Sequence, residues 1–239
     1  MQGSALKQLI HANLGRAKYE PTWNIQKKLV DLRYLFKIPD CLLVCEHYPV
    51  ITMGRGTEKG NLLVSEESLR EKGIELFEIE RGGDITFHGP GQAVIYPIIN
   101  LKDRNGDVHK YLRDLERVAV QTLEDIGLKA GIKEGLTGIW VDDHKVGAIG
   151  IAVSRWITYH GLALNVSTDP DYFELINPCG ITEFPVGSIT ELSGQELSAD
   201  FVGNLLVENF VDEFGYNNIE RVENLSDYIK KHSDSTQFD

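Results

Sequence analysis

Apolar residues recur every three or four positions in three segments of the chain, which is the period of an amphipathic helix. These segments are Pro21–Phe36, Val108–Ile126 and the stretch from Ser198, a predicted cap, to Phe214. Ser65 can cap a shorter helix that ends at Gly73. We therefore predict four helices. The apolar stripe of the first comprises Trp23, Leu29, Leu32, Leu35 and Phe36.

Other apolar segments are short, and they are either continuous or alternate with charged residues, as strands do. They span residues 41–47, 50–54, 74–80, 93–99 and 156–166. Residues 137–143 and 145–153 predict a hairpin that turns at 142–144. Strands in hairpins with a few helices between them predict an α/β (α+β) domain. We expect one mixed β-sheet with flanking helices, and not a doubly wound parallel sheet.

Composition narrows the class of protein. The chain has 239 residues, 42% of them hydrophobic, and a net charge of −12. An acidic balance argues against a protein that mainly binds nucleic acid or an anionic membrane. Three cysteines are too few for a disulfide scaffold, and no apolar run resembles a signal peptide or membrane span. We expect a single cytoplasmic domain over residues 1–239, with a frayed tail at 232–239.

Four stretches combine reactive or polar side chains with glycine or proline, and each allows a structural interpretation beside a functional one. Arg81–Gln92 holds four glycines; it predicts either a hairpin loop with glycines at positive φ or a loop whose backbone approaches a ligand. Lys145 opens an apolar strand, where it could equally be an exposed hairpin lysine. His160 could be a buried strand residue. Cys179 lies on a Pro-Cys-Gly turn, which makes its thiol accessible without proving it reactive.

Other chemistry is poorly supported by the sequence. Cys41 and Cys45 lie in an apolar run, where cysteine behaves as a small hydrophobe, and no second pair of metal ligands matches them. The sequence contains no P-loop and no HExxH, and its Ser-Gly pairs lack the flanks of a nucleophile elbow. We predict no metal site.

The four stretches together resemble the octanoyltransferase family. The family pattern RGG-x-x-T-[YF]-HGPGQ is present at 81–92, followed by KVGAIG at 145–150, HGLALN at 160–165 and PCG at 178–180. An upstream EH-x-P-V-x-T-x-G-R pattern spans 46–55. Two positions depart from the family pattern: Tyr48 replaces a second proline, and Gly147 replaces the commoner alanine, which could loosen the strand beside Lys145.

The resemblance implies a fold related to the catalytic domains of biotin and lipoate protein ligases. It implies that Cys179 is the acyl-carrying nucleophile and that Lys145 is its acid/base partner. It further implies that the substrate is bound by Arg81, Gly82, Gly83, Asp84, Ile85, Thr86, Phe87, His88, Ala148, Ile149, Gly150, Gly161, Leu162 and Ala163.

The implied reaction moves an octanoyl group from octanoyl-acyl carrier protein to a lysine of a lipoyl domain, without a cofactor. The implied acceptors are the lipoyl domains of 2-oxoacid dehydrogenase complexes and the glycine cleavage H protein. A free thiol has a pKa of about 8.5, and a lysine ammonium within ~4 Å would lower it. Burying six methylenes could contribute up to ~5 kcal/mol to binding of the tail. We expect Arg81 and His88 to orient the polar end of the substrate.

Three other functions remain open on the sequence alone. A lipoate protein ligase would activate a free acid with ATP and would need no cysteine. A cysteine hydrolase would pair Cys179 with His160 or His88 as base. A non-catalytic member would only bind an acyl carrier or a lipoyl domain. Because both implied partners are usually acidic, docking would need a local basic patch, either Lys27, Lys28 and Arg33 or Arg104 and Lys110.

Overall fold

The computed structural model describes residues 6–177 and 185–234. Over these ranges the strands are β1 (Gln8–Ala17), β2 (Asp40–His47), β3 (Val50–Met53), β4 (Glu75–Glu78), β5 (Thr86–His88), β6 (Gln92–Ile98), β7 (Ala130–Lys133), β8 (Leu136–Val141), β9 (His144–Ser154), β10 (Ile157–Asn165) and β11 (Asn218–Arg221). The α-helices are α1 (Tyr19–Tyr34), α2 (Glu66–Glu71), α3 (Val108–Asp125), α4 (Ile189–Ser193), α5 (Ala199–Phe214) and α6 (Leu225–Ser233). Short 3-10 helices span Lys59–Asn61, Leu101–Arg104 and Pro170–Leu175.

The strands form a large and a small sheet. Eight strands pair in the order β11-β1-β2-β6-β10-β9-β8-β7, and three pair in the order β4-β3-β5. In the large sheet β1 runs parallel to β11 and β2, whereas the pairs from β2 across to β7 are antiparallel. This arrangement confirms the predicted mixed sheet with flanking helices.

The large sheet is covered by helices on both faces, which explains why β2 is continuously apolar. Successive strand side chains point to opposite faces. Leu42 and Val44 therefore join the core formed with α3 and α5, while Cys41 and Leu43 join a second core formed with α1 and α6. A strand that is buried on both faces has no polar side to show in its sequence.

The small sheet has its own apolar core and lies against the large sheet through a loop. Ile51 of β3 and Phe87 of β5 pack with Leu69 of α2 and with Ile176. The loop between β4 and β5 is attached to β9, because the Gly82 N–H donates to the Ile151 carbonyl at 2.8 Å. The small sheet thereby places the glycine-rich stretch over β9.

The capping residues of the predicted helices are confirmed. Ser65 accepts from the Ser68 N–H at the start of α2, and Ser198 accepts from the Phe201 N–H at the start of α5. Gly215 ends α5 in the left-handed conformation. The hairpin of β8 and β9 turns at the predicted position, with Asp142 at φ 50°.

Other elements differ from the prediction. The first helix ends at Tyr34, so Leu35 and Phe36 leave the predicted stripe and are 56% and 79% exposed. The helix α6 continues through Ser233, past the predicted start of the frayed tail; residues 235–239 lie outside the described ranges. It buries only Leu225 and Ile229, which is too narrow a stripe to stand out in a polar sequence. The sequence also did not predict β1, β5, β7, β11 or α4.

Candidate active site

A cavity lies between strands β9 and β10 and the loop that precedes β5. It contains about 890 Å³, measured out to its open mouth. Val94, Ile149, Leu162 and Ala163 give it apolar walls. The polar side chains that line it belong to Tyr19, Arg81, Asp84, Thr86, His88, Gln92, Tyr96, Lys145, His160 and Asn165.

The fold brings nearly all of the predicted substrate-binding residues to this cavity. They come from three separate stretches of the chain. Those that line it are Arg81, Gly83, Asp84, Ile85, Thr86, His88, Ala148, Ile149, Gly150, Gly161, Leu162 and Ala163.

Gly82 and Phe87 are the two exceptions. The Phe87 side chain is fully buried in the core of the small sheet, with its ring stacked on Tyr172 at a centroid distance of 4.4 Å. It alternates with Thr86 and His88 along β5, so its side chain points to the opposite side of the strand. Phe87 therefore packs in the core of the small sheet and does not line the cavity. This corrects the prediction that Phe87 binds substrate. Gly82 contributes its hydrogen bond to Ile151.

Two facing glycines allow the walls of the cavity to approach closely. Gly161 on β10 is paired with Gly150 on β9. A Cβ on Gly161 would lie 2.2 Å from the Ile95 carbonyl oxygen, and one on Gly150 would lie 2.9 Å from Cδ of Arg81. Gly150 and Gly161 are thus required by packing. Gly147 is also enclosed, because a Cβ there would lie 2.7 Å from Cδ2 of Leu164; its strand is closely packed rather than loosened.

Lys145 lines the cavity and is only 9% exposed. Its aliphatic chain packs over Gly138, where a Cβ would come within 2.6 Å of Cε of Lys145. Its backbone N–H donates to the Pro185 carbonyl at 2.9 Å, and its carbonyl accepts from the Gly187 N–H at 3.0 Å. The interpretation as an exposed hairpin lysine is therefore wrong.

Cys179 belongs to residues 178–184, which lie outside the described ranges. The chain on either side of this stretch is fixed near the cavity. Two residues before Cys179, the Asn177 N–H donates to the Asn61 carbonyl at 2.7 Å. Six residues after it, Pro185 is bonded to Lys145. Asn61 also donates from Nδ2 to Asp84, a residue of the cavity wall.

Arg81 is buried against the small sheet. Its Nη2 donates to the Thr52 carbonyl at 2.7 Å and to Thr52 Oγ1 at 3.0 Å. Gly54 leaves room for the guanidinium, since a Cβ there would lie 2.8 Å from Nη1 of Arg81. These contacts fix a cationic side chain in the cavity wall.

His88 is held as a neutral ring. Burial, followed by the neighbouring His47, lowers its pKa to about 3, while a hydrogen bond to Gln92 acts in the opposite direction. That bond joins Nδ1 of His88 to Oε1 of Gln92 at 2.6 Å. Since an amide oxygen only accepts, Nδ1 carries the proton and Nε2 is left as an acceptor.

His160 combines an unusual backbone with a buried side chain. Its φ is 58°, a conformation that non-glycine residues rarely adopt. Its N–H donates to Oε1 of Gln26 on α1 at 2.7 Å, and its Nδ1 lies 3.5 Å from the Tyr19 hydroxyl. Burial, followed by the charge of Arg81, lowers the His160 pKa to about 3. Backbone strain of this kind concentrates at functional sites.

Several cavity residues were not identified from the sequence. Tyr19 lines the cavity from α1, and Gln26 on the same helix bonds the His160 backbone without lining the cavity; the sequence pattern of α1 indicates only a packing helix. Gln92 and Asn165 lie inside the motifs at 81–92 and 160–165, and their polar side chains at strand positions were an available signal.

Most residues of the predicted basic patches form ion pairs with acidic residues of the chain. Arg33 is buried and contacts Asp40 at 2.7 Å and Asp103 at 2.6 Å. Arg104 and Lys110 both contact the buried Asp114. Arg33, Arg104 and Lys110 therefore neutralise acids of the chain itself, whereas Lys28 is exposed on α1, and the docking patch stays a prediction.

The other two cysteines are buried, as predicted. Burial raises the pKa of both the Cys41 and the Cys45 thiol, which leaves them protonated. Among the described residues, no three His, Cys, Asp or Glu side chains cluster in a way that would hold a metal ion.

Comparison with known proteins assigns the sequence to a family. Residues 18–211 match the lipoyl protein ligase A/B catalytic domain family. The octanoyltransferase of Solibacter usitatus is 44% identical over 90% of this chain and 95% of its own length. The octanoyltransferase of Koribacter versatilis is 45% identical over 83% of this chain and 81% of its own length. The chain belongs to the octanoyltransferase family. Membership makes acyl transfer the class of its chemistry.

Solved structures of more distant proteins share the octanoyltransferase fold. A lipoate-protein ligase A crystallised with ATP superposes with a TM-score of 0.71 at 17% identity, covering 92% of both chains. The biotin protein ligase of Aquifex aeolicus reaches 0.50 at 12% identity, over 88% of this chain and 69% of its own. These likenesses confirm the predicted fold relationship to both ligase groups. None of the helices in the described ranges is long and apolar enough to cross a membrane.

Proposed function

We propose that this protein transfers an octanoyl group from octanoyl-acyl carrier protein to a lysine of lipoyl domains, through an acyl-enzyme on Cys179. The observation that carries the proposal is the pairing of Lys145 with Pro185 and Gly187. It attaches the chain that leads out of the Cys179 stretch to a buried lysine that lines the cavity. Family membership supplies the acyl chemistry.

The reaction has two halves. First, the Cys179 thiolate attacks the thioester carbonyl; a new carbon–sulfur bond forms, the carbon–sulfur bond to the carrier breaks, and the carrier thiol leaves with a proton from the Lys145 ammonium. Second, the acceptor lysine amine attacks the acyl-enzyme and gives a proton to Lys145, while the Cys179 thiolate leaves. The first exchange is thioester for thioester, so it needs no ATP. A general acid/base in this position contributes about 10²- to 10⁴-fold to the rate.

The cavity residues have separate roles in this proposal. Val94, Ile149, Leu162 and Ala163 receive the octanoyl tail, whose six methylenes contribute up to about 5 kcal/mol. Arg81 and His88 orient the polar end of the substrate. The proposed acceptors are lipoyl domains of 2-oxoacid dehydrogenase complexes and the glycine cleavage H protein. We propose that the reaction takes place in the cytoplasm.

Intact-protein mass spectrometry tests the covalent step. The wild type is mixed with octanoyl-carrier protein without ATP, beside Cys179→Ala and a matched control, Cys41→Ala, which removes a buried thiol. We expect one octanoyl adduct on the wild type and the control, none on Cys179→Ala, and discharge of the adduct by a lipoyl domain. An adduct that survives in Cys179→Ala would refute the acyl-enzyme.

The same experiment separates the alternatives. The likeness to a ligase that was crystallised with ATP shows a shared fold only. If transfer appeared only with ATP and free octanoate, the protein would be a ligase. If free octanoate accumulated without an acceptor, it would be a hydrolase. Because His88 and His160 have pKa values of about 3, both are weak candidates for a hydrolytic base.

A further inference from the structure

A chain of amide hydrogen bonds crosses the cavity wall from β5 to β9. His88 Nδ1 meets Gln92 Oε1 at 2.6 Å, and Gln92 Nε2 donates to Asn165 Oδ1 at 2.9 Å. Asn165 Nδ2 then donates to the Gly187 carbonyl at 3.3 Å. The Gly187 N–H in turn donates to the Lys145 carbonyl at 3.0 Å. The chain thus runs from a proposed substrate-binding histidine to the proposed acid/base lysine.

The direction of these bonds is fixed at both ends. Gln92 Nε2 also donates to the Phe87 carbonyl at 3.2 Å, and the Gly187 carbonyl can only accept. Both amides must therefore point their NH₂ groups as described. Gln92 and Asn165 are 2% and 6% exposed, so water does not readily replace a lost partner. A buried amide that loses a hydrogen-bond partner is therefore destabilising.

The two amides join parts of the site that are distant in sequence. Gln92 follows the glycine-rich loop at the start of β6, and Asn165 ends β10. Gly187 lies eight residues beyond Cys179, after the stretch that carries it. The connection adds side-chain bonds to a backbone link between the same regions, in which the Val166 N–H donates to the Gly91 carbonyl and the Thr190 N–H donates to the Val166 carbonyl, each at 2.9 Å.

We propose that Gln92 and Asn165 are positioning residues that act as one unit. They hold the loop of His88 and the segment of Gly187 in fixed register, and so place the substrate thioester relative to Cys179 and Lys145. Neither residue contacts the reacting atoms in this proposal. The inference rests on the proposed function, since it assigns roles within the same acyl transfer.

The test compares Gln92→Leu, Asn165→Leu and the double variant with the wild type in single-turnover acyl loading. We expect each single variant to load about 10- to 100-fold more slowly, because a shift of 1 Å at a reacting group has effects of this size. The double variant should be close to either single variant, since removal of one member already breaks the unit. The loss should fall on kcat, with little change in the KM for the carrier.

Two isosteric variants keep the test informative if a leucine variant does not fold. Asn165→Asp retains the acceptor for Gln92 but loses the donor to Gly187. Gln92→Glu retains the acceptor for His88 and adds a negative charge beside that ring, which favours its protonated form. We expect Gln92→Glu to introduce an ionisation into the pH profile of loading that the wild type lacks. A purely structural role would lower the melting temperature without changing the profile.

Asn209→Leu is the matched control. Asn209 on α5 donates to Thr122 Oγ1 at 3.2 Å and to Asp125 at 2.8 Å, away from the cavity. It should lower stability and leave the loading rate of the folded protein unchanged. Wild-type loading rates in all folded Gln92 and Asn165 variants would overturn the inference while leaving the proposed function intact. Absence of an adduct on the wild type would instead overturn the proposed function.

Discussion

The two faces of the large sheet are built from the same strands but bury different kinds of side chain. On the face covered by α3 and α5, side chains such as Leu115, Leu206 and Phe210 are fully buried and apolar. On the other face, beside the cavity, the buried groups include His47 and Tyr96, whose Nε2 and hydroxyl meet at 2.7 Å. One face is held by apolar packing, and the other combines a second apolar core under α1 and α6 with hydrogen bonds among buried polar groups beside the cavity.

This difference shows how a site can be buried without becoming part of the core. Hydrogen bonds replace the water that the polar groups lose. His47 is bonded through its other nitrogen to the Ala17 carbonyl at 2.9 Å, and Gln26 supports the backbone of His160. Changes on the polar face should therefore affect chemistry first, and changes on the apolar face should affect stability first.

The largest expected effect is that of Lys145→Met. Methionine fills similar space without a proton to exchange, so acyl loading should fall by about 100- to 10,000-fold while the protein stays folded. Single-turnover mass spectrometry measures the rate, and a thermal melt checks the fold. Lys72→Met, at an exposed position after α2, is the control and should load normally. Equal rates for Lys145→Met and the wild type would remove Lys145 from the mechanism.

Leu206→Ala examines the opposite face. Leu206 is fully buried on α5, and its truncation should reduce the free energy of unfolding by about 2–5 kcal/mol. The loading rate per folded molecule should not change, because the side chain lies in the core with α3. Urea denaturation and the same loading assay measure the two quantities. A fall in the loading rate of the folded variant would show that the two faces are coupled.

Two Gly→Ala substitutions sharpen the contrast. At Gly161 a Cβ meets the Ile95 carbonyl oxygen at 2.2 Å, so β6 must move, and we expect a loss of about 1–3 kcal/mol together with slower loading. At Gly203 on α5 a Cβ meets only Cγ1 of Val44 at 3.1 Å, and alanine favours the helix by about 1 kcal/mol. Gly203→Ala should therefore be close to neutral in melts and in loading. Equal losses at both positions would mean that close backbone approach does not distinguish the cavity wall from the helix.

Much of the apolar face could be predicted from the sequence, because periodicity reports packing. The spacing in 108–126 predicted α3, and Ser198 predicted the start of α5. By contrast, α6 and β1 were missed, since each buries only a few apolar residues and carries many polar ones. A segment whose burial depends on a neighbour distant in sequence leaves a weak local signal.

The polar face could be predicted only through motifs. The glycines and polar residues of 81–92 and 160–165 indicated a site, but not which side chains face it. Phe87 was assigned to the substrate, whereas the alternation of β5 turns it into the core of the small sheet. Gln26 and Tyr19 could not be found, because their role depends on the contact of α1 with β10, more than a hundred residues away.

The smallest expected effect is the change in the free energy of unfolding with pH. The folded-state pKa is about 3 for His88 and His160 and about 4 for His47, below the ordinary value of 6.5. At pH values between the folded-state pKa and 6.5, the unfolded chain binds more protons than the folded chain. Burial therefore disfavours protonation of these rings in the folded protein. The free energy of unfolding that depends on neutral rings is fully present above pH 6.5, and it is lost as the pH falls toward the folded-state pKa values.

Each of these histidines should contribute a slope of up to about 1.4 kcal/mol per pH unit within that window. Urea denaturation at about pH 7.5, 6.5 and 5.5 measures it, before most carboxylates titrate. His88→Gln and His160→Gln should each flatten the pH dependence of the free energy of unfolding. Leu206→Ala should lower stability equally at every pH, since it removes packing but no titrating group. An unchanged slope in both histidine variants would mean that the polar face is hydrated, and the contrast between the two faces would then fail.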